Sequence, residues 1–130
     1  MKLNKNDVFV FGSNEAGIHG GGAARYAKEN LGAEMGFSYG KTGQCFAIPT
    51  KDIYIETLPL GRIKMYVTGF LAFAIGHKKL TFKITQIGCG LAGYTANDIA
   101  PMFKNAPLNC QFDSAWQLHM GDQYTYWGTG

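Results

Sequence analysis

The apolar positions of this chain follow two spacings in turn, one typical of strands and one typical of helices. Residues 8–11 (VFVF) form a continuous apolar run that ends at GSN, which predicts a strand covered on both faces. Residues 21–31 then carry apolar positions at helical spacing, and Gly32 is placed to end that helix. Residues 33–44 are rich in glycine and predict a loop.

The same alternation continues through the middle of the chain. Residues 45–48 predict a second strand that stops at Pro49, and residues 80–87 predict a third. Between them, residues 60–77 give the clearest helical pattern, with apolar residues every three to four positions. The members of that stripe are Leu60, Ile63, Val67, Phe70, Leu71, Ala74 and Ile75.

The C-terminal part predicts one more helix and one more strand. The helix runs to about Lys104 behind a cap at Thr95 or Asn97, and residues 109–112 form the strand. For the tail at 117–130 the sequence does not decide between an edge strand and partial disorder. Because strands and helices alternate, we expect residues 1–130 to form one α/β sandwich domain on a mostly parallel sheet.

Composition narrows the functional classes. The net charge is +3 and the basic residues are scattered, which disfavours a dedicated nucleic-acid groove and suits a small anionic ligand. Three widely spaced cysteines show no Cys/His ligand spacing, so we expect no structural zinc or other metal. We also expect no cofactor. A polar N-terminal segment and the lack of long apolar runs predict a cytoplasmic protein with no membrane partner.

Two glycine-rich segments each follow a predicted strand and precede a helical pattern. The first is the triple glycine 20–22, and the second is residues 87–94 (IGCGLAGY). Such loops expose backbone N–H groups, and a helix N-terminus attracts anions. Both loops lie at the carboxyl ends of strands, where α/β proteins bind ligands. Two anion loops in one small domain predict a nucleotide diphosphate as the ligand.

These segments resemble the macrodomain superfamily. The similarity covers about residues 7–116 and is carried by residues 8–32, the stretch FAIPTK at 46–51 and QIGCGLAGY at 86–94. It is nearest a small phage and bacterial macro-like group, beside the branch of the terminal ADP-ribose protein glycohydrolase and the yeast-type ADP-ribose-1″-phosphate phosphatase. The resemblance implies a three-layer α/β/α sandwich, in a compact version without the usual N-terminal strand.

The resemblance also implies a set of ligand-binding residues. In such folds the glycine-rich helix start and the second loop hold the distal ribose and the diphosphate of ADP-ribose. The residues that match these positions are Asn14, Gly20, Gly21, Gly22, Thr50, Gly88, Cys89, Gly90, Leu91, Ala92, Gly93 and Tyr94.

Three polar residues have a structural as well as a functional interpretation. Asn14 is either a turn residue or a contact to the distal ribose. His19 either covers the glycine loop or contacts the ligand, with a catalytic role as one alternative. Lys51 is either a solvated lysine or, by the resemblance, the nucleophile of the glycohydrolase branch.

The sequence departs from the family at the catalytic carboxylates. Ala92 stands where the glycohydrolase branch has an aspartate, and Ala23 and Ala24 stand where the other hydrolytic branch has one. The family's Gly-Asp loop for adenine is also absent. We therefore expect a protein that binds ADP-ribose or a related phosphorylated ribonucleotide. One alternative is an enzyme that uses Lys51 or His19, either a hydrolase that removes ADP-ribose from a protein, a nucleic acid or a small molecule, or an ADP-ribose-1″-phosphate phosphatase. The other alternative is a phage-type protein that sequesters a nucleotide signal or binds a host partner.

Overall fold

A computed structural model describes residues 3–128, and these form a single α/β sheet structure. Strands and helices alternate along the chain, as the apolar pattern predicts. The elements are β1 (Asp7–Asn14), α1 (Gly22–Asn30), β2 (Gly40–Thr42), β3 (Cys45–Lys51), α2 (Leu60–Gly76), β4 (Thr81–Ile84), α3 (Ala96–Ile99), β5 (Cys110–Asp113), α4 (Gln117–Met120) and β6 (Tyr126–Trp127).

The six strands form one mixed, mostly parallel sheet in the order β2-β3-β1-β4-β5-β6. Only the β2–β3 pair is antiparallel. The strand β1 is central, and the chain returns to one side of it with β3 and to the other side with β4. The sheet therefore has a topological switch point beside β1, where its carboxyl edge opens a crevice for ligands.

Helices cover both faces of the sheet, which gives a three-layer α/β/α arrangement. On one face, α1 buries Ala24 and Ala27 against Phe9 and Phe11 of β1. On the other face, the larger core is built from α2 and from the residues that follow β4 and β5. Four residues of the α2 stripe are buried, whereas Ile75 is 58% exposed, so the expectation that Ile75 belongs to the apolar face is wrong.

Three boundaries on the strands differ from the sequence prediction. Residues 40–42 of the predicted loop form the short strand β2, because the turn at Gly43 folds them back on β3. Pro49 lies inside β3 instead of stopping it. The strand β2 pairs only as far as Ala47, so Pro49 lacks a neighbour on that side, and the register of β1 shifts nearby. The strand β4 ends at Ile84, so residues 85–87 lie outside the strand.

The predicted C-terminal helix forms as two short pieces, and β5 is shifted by one residue from the predicted strand at 109–112. Thr95 caps α3 through a reciprocal capping box with Asp98, and a 3₁₀ turn at Ala100–Phe103 continues it. Trp116 is fully buried in the core. The tail adds β6, which pairs in parallel with β5 at the edge of the sheet. No helix in the described part of the chain has both the length and the apolar character to cross a membrane.

Candidate functional site

A cavity of about 700 Å³ opens at the carboxyl edge of the sheet, beside the switch point. It lies within the range of about 300–1,000 Å³ that small-ligand sites occupy. Both glycine-rich segments line it, together with the ends of β1, β3 and β5. The predicted site residues that line it are Asn14, Gly20, Gly21, Gly22, Thr50, Lys51, Gly88, Cys89, Gly90, Leu91 and Ala92.

The first glycine loop leads into the N-terminus of α1. Gly21 is the N-cap residue in extended conformation, and no side chain caps the helix. Gly22 begins the helix with φ at +55°, a left-handed value that favours glycine. Among the described residues, the backbone N–H groups of residues 20–24 donate to no acceptor in the protein. This helix start is therefore an uncapped group of donors beside the cavity, with the positive end of the helix dipole.

Asn14 holds the loop that precedes the glycines. Its Nδ2 donates to the Ile18 carbonyl at 2.7 Å, and its Oδ1 accepts from the Ile18 N–H at 3.0 Å. Gly17 has φ at +72° and its N–H donates to the Asn14 carbonyl, which tightens the same turn. Asn14 thus lines the cavity, while its side-chain amide donates one hydrogen bond and accepts another within the loop. This geometry fits the turn interpretation and leaves one amide hydrogen for a ligand.

The second glycine loop is closed by its own backbone. The Tyr94 N–H donates to the Gly88 carbonyl at 2.9 Å, and the Gly93 N–H donates to the Gly90 carbonyl at 3.0 Å. Side chains fasten the loop to the segment after β3, since Thr57 donates to the Ala92 carbonyl. In residues 3–128, the N–H groups of residues 90–92 have no acceptor. The loop therefore offers a second set of backbone N–H donors, and hydrogen bonds within the protein fix its conformation.

Two glycines that line the cavity leave open space where a side chain would begin. A Cβ atom added at Gly21 or at Gly90 meets no atom within 4 Å, and neither residue has a left-handed φ. Their lack of a side chain is therefore not required by the packing of the protein itself. It keeps the backbone accessible, as close approach of a phosphate requires. Gly88 is different, because an added Cβ would lie 3.1 Å from Ile99 Cδ1.

Lys51 supplies the positive charge of the site. It ends β3, is half-buried and lines the cavity. No carboxylate of the described residues lies within 4 Å of its ammonium group. Thr50 beside it is buried and donates to the Ser13 carbonyl at 3.3 Å, which ties β3 to β1. The arrangement leaves the Lys51 ammonium free to pair with an anionic ligand.

Three predicted site residues do not line the cavity. Gly93 and Tyr94 close the second loop, and the Tyr94 hydroxyl donates to the Leu58 carbonyl at 2.7 Å. His19 is 1% exposed and packs edge-on against Phe11. Its Nε2 lies 3.0 Å from the Glu34 carbonyl, which makes Nε2 the protonated nitrogen. The geometry thus gives His19 and Tyr94 bracing roles behind the glycine loops.

The carboxylates near Lys51 and the second loop are engaged in the protein. Glu15 accepts from the Tyr66 hydroxyl and from Arg62 at 2.9 Å, and these hydrogen bonds lower its pKa. Asp52 accepts from two backbone N–H groups of the turn that follows it. Asp98 is used by the capping box of α3. None of the three lines the cavity.

The cysteines are free thiols with raised pKa values. Burial raises the pKa of Cys45 to about 11 and that of Cys110 to about 12. Cys89 lines the cavity, and its pKa is raised mainly by burial and also by the nearby Asp98. A raised thiol pKa disfavours the thiolate, so these cysteines are poor nucleophiles.

Several cavity residues were not predicted from the sequence. Asp113 ends β5 at the same edge as the other site residues, and the strand-end rule would have found it had the strand been extended by one residue. Ile55 lines the rim with φ at +64°, a rare conformation for a β-branched residue, and no sequence pattern signals it. Ile18 and Leu91 add exposed apolar surface to the same rim.

No family model, no curated protein and no solved structure matches this chain.

Proposed function

We propose that the chain binds ADP-ribose, or a related phosphorylated ribonucleotide, in the cavity between the two glycine loops. One observation carries this proposal. Two loops separated by more than sixty residues line one cavity, and each contributes backbone N–H groups that have no acceptor among the described residues. One such loop suits a single phosphate, and two that face the same space suit a diphosphate.

The positive charge of Lys51 supports an anionic ligand at this place. It lines the same cavity as the start of α1 and the second loop, so a diphosphate bound there gains a charge-assisted contact in addition to the backbone donors. The sequence resemblance of both loops to macrodomains points to the same ligand. The unpaired donors and the open glycine positions support a diphosphate without that resemblance, and the resemblance adds ADP-ribose as the specific ligand.

Binding without turnover is favoured over hydrolysis. A nucleophilic Lys51 requires a nearby group to take up or supply a proton. Asp113 is the only carboxylate among the described residues that line the cavity. It lies three strands from Lys51 across the sheet, which is about 14 Å at about 4.8 Å per strand. The nearer carboxylate of Glu15 is held by Arg62 and Tyr66.

Calorimetric titration of the full chain with ADP-ribose tests the proposal. We expect saturable binding to ADP-ribose, weaker binding to AMP and weaker binding still to ribose 5-phosphate, because each of these ligands offers fewer phosphate contacts or no base. Equal binding of all three, or binding of none, would remove the diphosphate assignment. Release of ADP-ribose from a modified protein, lost in Lys51→Met, would instead establish the hydrolase alternative.

A further inference from the structure

A groove of about 720 Å³ lies at the amino edge of the sheet, away from the cavity between the glycine loops. Its walls come from the end of α2, from the turn that leads into β4 and from β2. We call it the basic groove and define it by Lys41, Phe73, Ile75, Lys78, Lys79 and Leu80. The two sites share no lining residue, so the groove is a separate feature of the surface.

The rim of the basic groove carries three lysines and no acidic residue. Lys41 reaches the rim from β2, while Lys78 and Lys79 are the two central residues of the turn between α2 and β4. No carboxylate of residues 3–128 lies within 4 Å of any of these three ammonium groups. The surrounding sequence has the same sign, because residues 57–97 include five basic side chains and no acidic one. The groove therefore attracts anionic groups.

The floor of the basic groove is apolar and fixed in place. The Phe73 ring packs on Phe46 and Phe82 of the core, with centroid distances of 5.2 and 6.0 Å. Leu80 is half-buried and Ile75 is 58% exposed, and both continue this apolar surface. The groove thus has an apolar centre inside a charged rim, which is the arrangement of protein–protein interfaces.

Asn109 holds the turn that carries two of the lysines. Its side-chain amide donates to three carbonyl groups at 3.0–3.2 Å, those of Ala74, His77 and Leu80. The Leu80 N–H also donates to the His77 carbonyl at 3.0 Å and closes the turn. These hydrogen bonds occupy carbonyls at the C-terminal end of α2 that would otherwise repel an anion. The backbone of the rim therefore needs little rearrangement to receive a ligand.

The shape of the groove selects among anionic partners. Most of its lining residues are exposed, so it is too open to enclose a small molecule, whose sites bury most of the ligand. A nucleic acid needs free aromatic faces along a basic track, whereas the Phe73 ring already stacks on His77 with centroids 3.8 Å apart. A membrane needs apolar side chains that protrude, and here they line a concave surface. An acidic peptide with an apolar side chain fits both the rim and the floor.

We propose that the basic groove docks an acidic segment of a partner protein. An apolar side chain of that segment packs on Phe73, Ile75 and Leu80. Carboxylates on either side of it pair with the three lysines of the rim. The inference goes beyond the proposed function and does not rest on it, since the groove and the cavity between the glycine loops can be occupied at the same time.

Fluorescence anisotropy of the full chain with three labelled peptides tests the proposal. The first peptide is Glu-Glu-Leu-Glu-Glu, the second has serine in place of leucine, and the third has lysine in place of each glutamate. We expect saturable binding of the first peptide, which weakens as the salt concentration rises. The second should bind about tenfold more weakly because its apolar contact is lost, and the third should not bind because like charges repel.

Matched variants locate the surface that binds the first peptide. Lys78→Gln and Lys79→Gln, made singly, should each weaken its binding about threefold, as expected for an exposed ion pair. Ile75→Ser should weaken it by a similar factor because the apolar floor shrinks. Lys64→Gln and Met65→Ser remove the same kinds of group from exposed positions of α2 outside the groove and should leave the affinity unchanged. Thermal melting of each variant reports whether the fold is intact.

Several results would overturn the docking proposal. The first is no binding of the leucine peptide, or equal binding of the leucine and serine peptides. The second is an equal loss in Lys64→Gln and in the groove variants, which would reduce the attraction to net charge. Displacement of the peptide by ADP-ribose would place it at the glycine loops instead.

Two other probes test the classes of partner that the shape disfavours. A thymidine oligonucleotide or a phosphatidylserine vesicle that binds more tightly than the leucine peptide, with losses in the same lysine variants, would also overturn the proposal. Weaker binding of both probes supports it. Because the groove lies apart from the glycine loops, failure of the docking proposal leaves the proposed function standing, and failure to bind ADP-ribose leaves the docking proposal standing.

Discussion

Gly88 and Gly90 lie two residues apart in the second loop and respond differently to the same substitution. Gly88 is buried, has φ at +76° and would place a Cβ atom 3.1 Å from Ile99 Cδ1 and 3.2 Å from Ile99 Cγ1. Gly90 is exposed, has no left-handed φ and would place its Cβ atom in open space. We predict that Gly88→Ala destabilises the fold and that Gly90→Ala does not.

The magnitude for Gly88→Ala follows from two separate costs. An alanine in left-handed conformation costs about 1–2 kcal/mol. Ile99 is fully buried, and forcing it to move adds about 1–2 kcal/mol of overpacking. For a chain of this length the entropy of unfolding is about 0.27 kcal/mol/K, so a total of about 2–4 kcal/mol lowers the Tm by about 7–15 °C.

Thermal melts followed by circular dichroism measure this difference, with Gly61→Ala as the control. Gly61 is exposed in α2, its added Cβ meets nothing within 4 Å, and alanine there raises stability by about 0.5–1 kcal/mol. Gly90→Ala should melt within about 2 °C of the wild type. An equal loss of Tm in Gly88→Ala and Gly90→Ala would refute the account of this loop.

Three further predictions concern charge and packing. Lys51→Met should weaken ADP-ribose binding by about 1–2 kcal/mol and reduce its salt dependence, and unchanged affinity at low and high salt would contradict the role of the ammonium group. Glu15→Gln should lower stability at pH 7 by about 1 kcal/mol, since Tyr66 and Arg62 then lose an ionised acceptor. Because the pKa of Glu15 is lowered in the folded state, its contribution to stability is complete above the ordinary pKa of 4.5 and is lost as the pH falls below that value. In urea unfolding, the difference in the free energy of unfolding between the wild type and Glu15→Gln should therefore be smaller at pH 3 than at pH 7. Trp116→Ala should cost about 3–5 kcal/mol in urea unfolding because the side chain is fully buried, and a loss under 1 kcal/mol would show that the site collapses around the gap.

The apolar pattern predicts the elements that have a continuous buried stripe or a continuous buried run of residues. The helix α2 begins at the predicted Leu60, and the buried run 8–11 forms the centre of β1. Both are long signals with one clear period. The strand β2 carries no such signal, since its three residues are polar or glycine and it exists only because Gly43 turns the chain back onto β3.

The site residues also fall into those that the sequence predicts and those that it does not. Lining residues that come from the two glycine loops were predicted, because loop composition and strand ends are visible in the sequence. The packing direction of His19 was not, since the same residue can cover a loop from behind or line the cavity in front of it. The place of Asp113 depends on the pairing of β5 with β6, which joins segments through register and not through any local pattern.

The central claim is that the open glycine positions exist for a ligand and not for the fold. Gly21→Ala and Gly90→Ala test it most directly, each titrated with ADP-ribose beside Gly61→Ala and the wild type. The account predicts unchanged melting temperatures and binding at least tenfold weaker in both loop variants, because each added methyl group occupies space that the phosphates need. Wild-type affinity in both loop variants would contradict the claim that the phosphates lie against these loops.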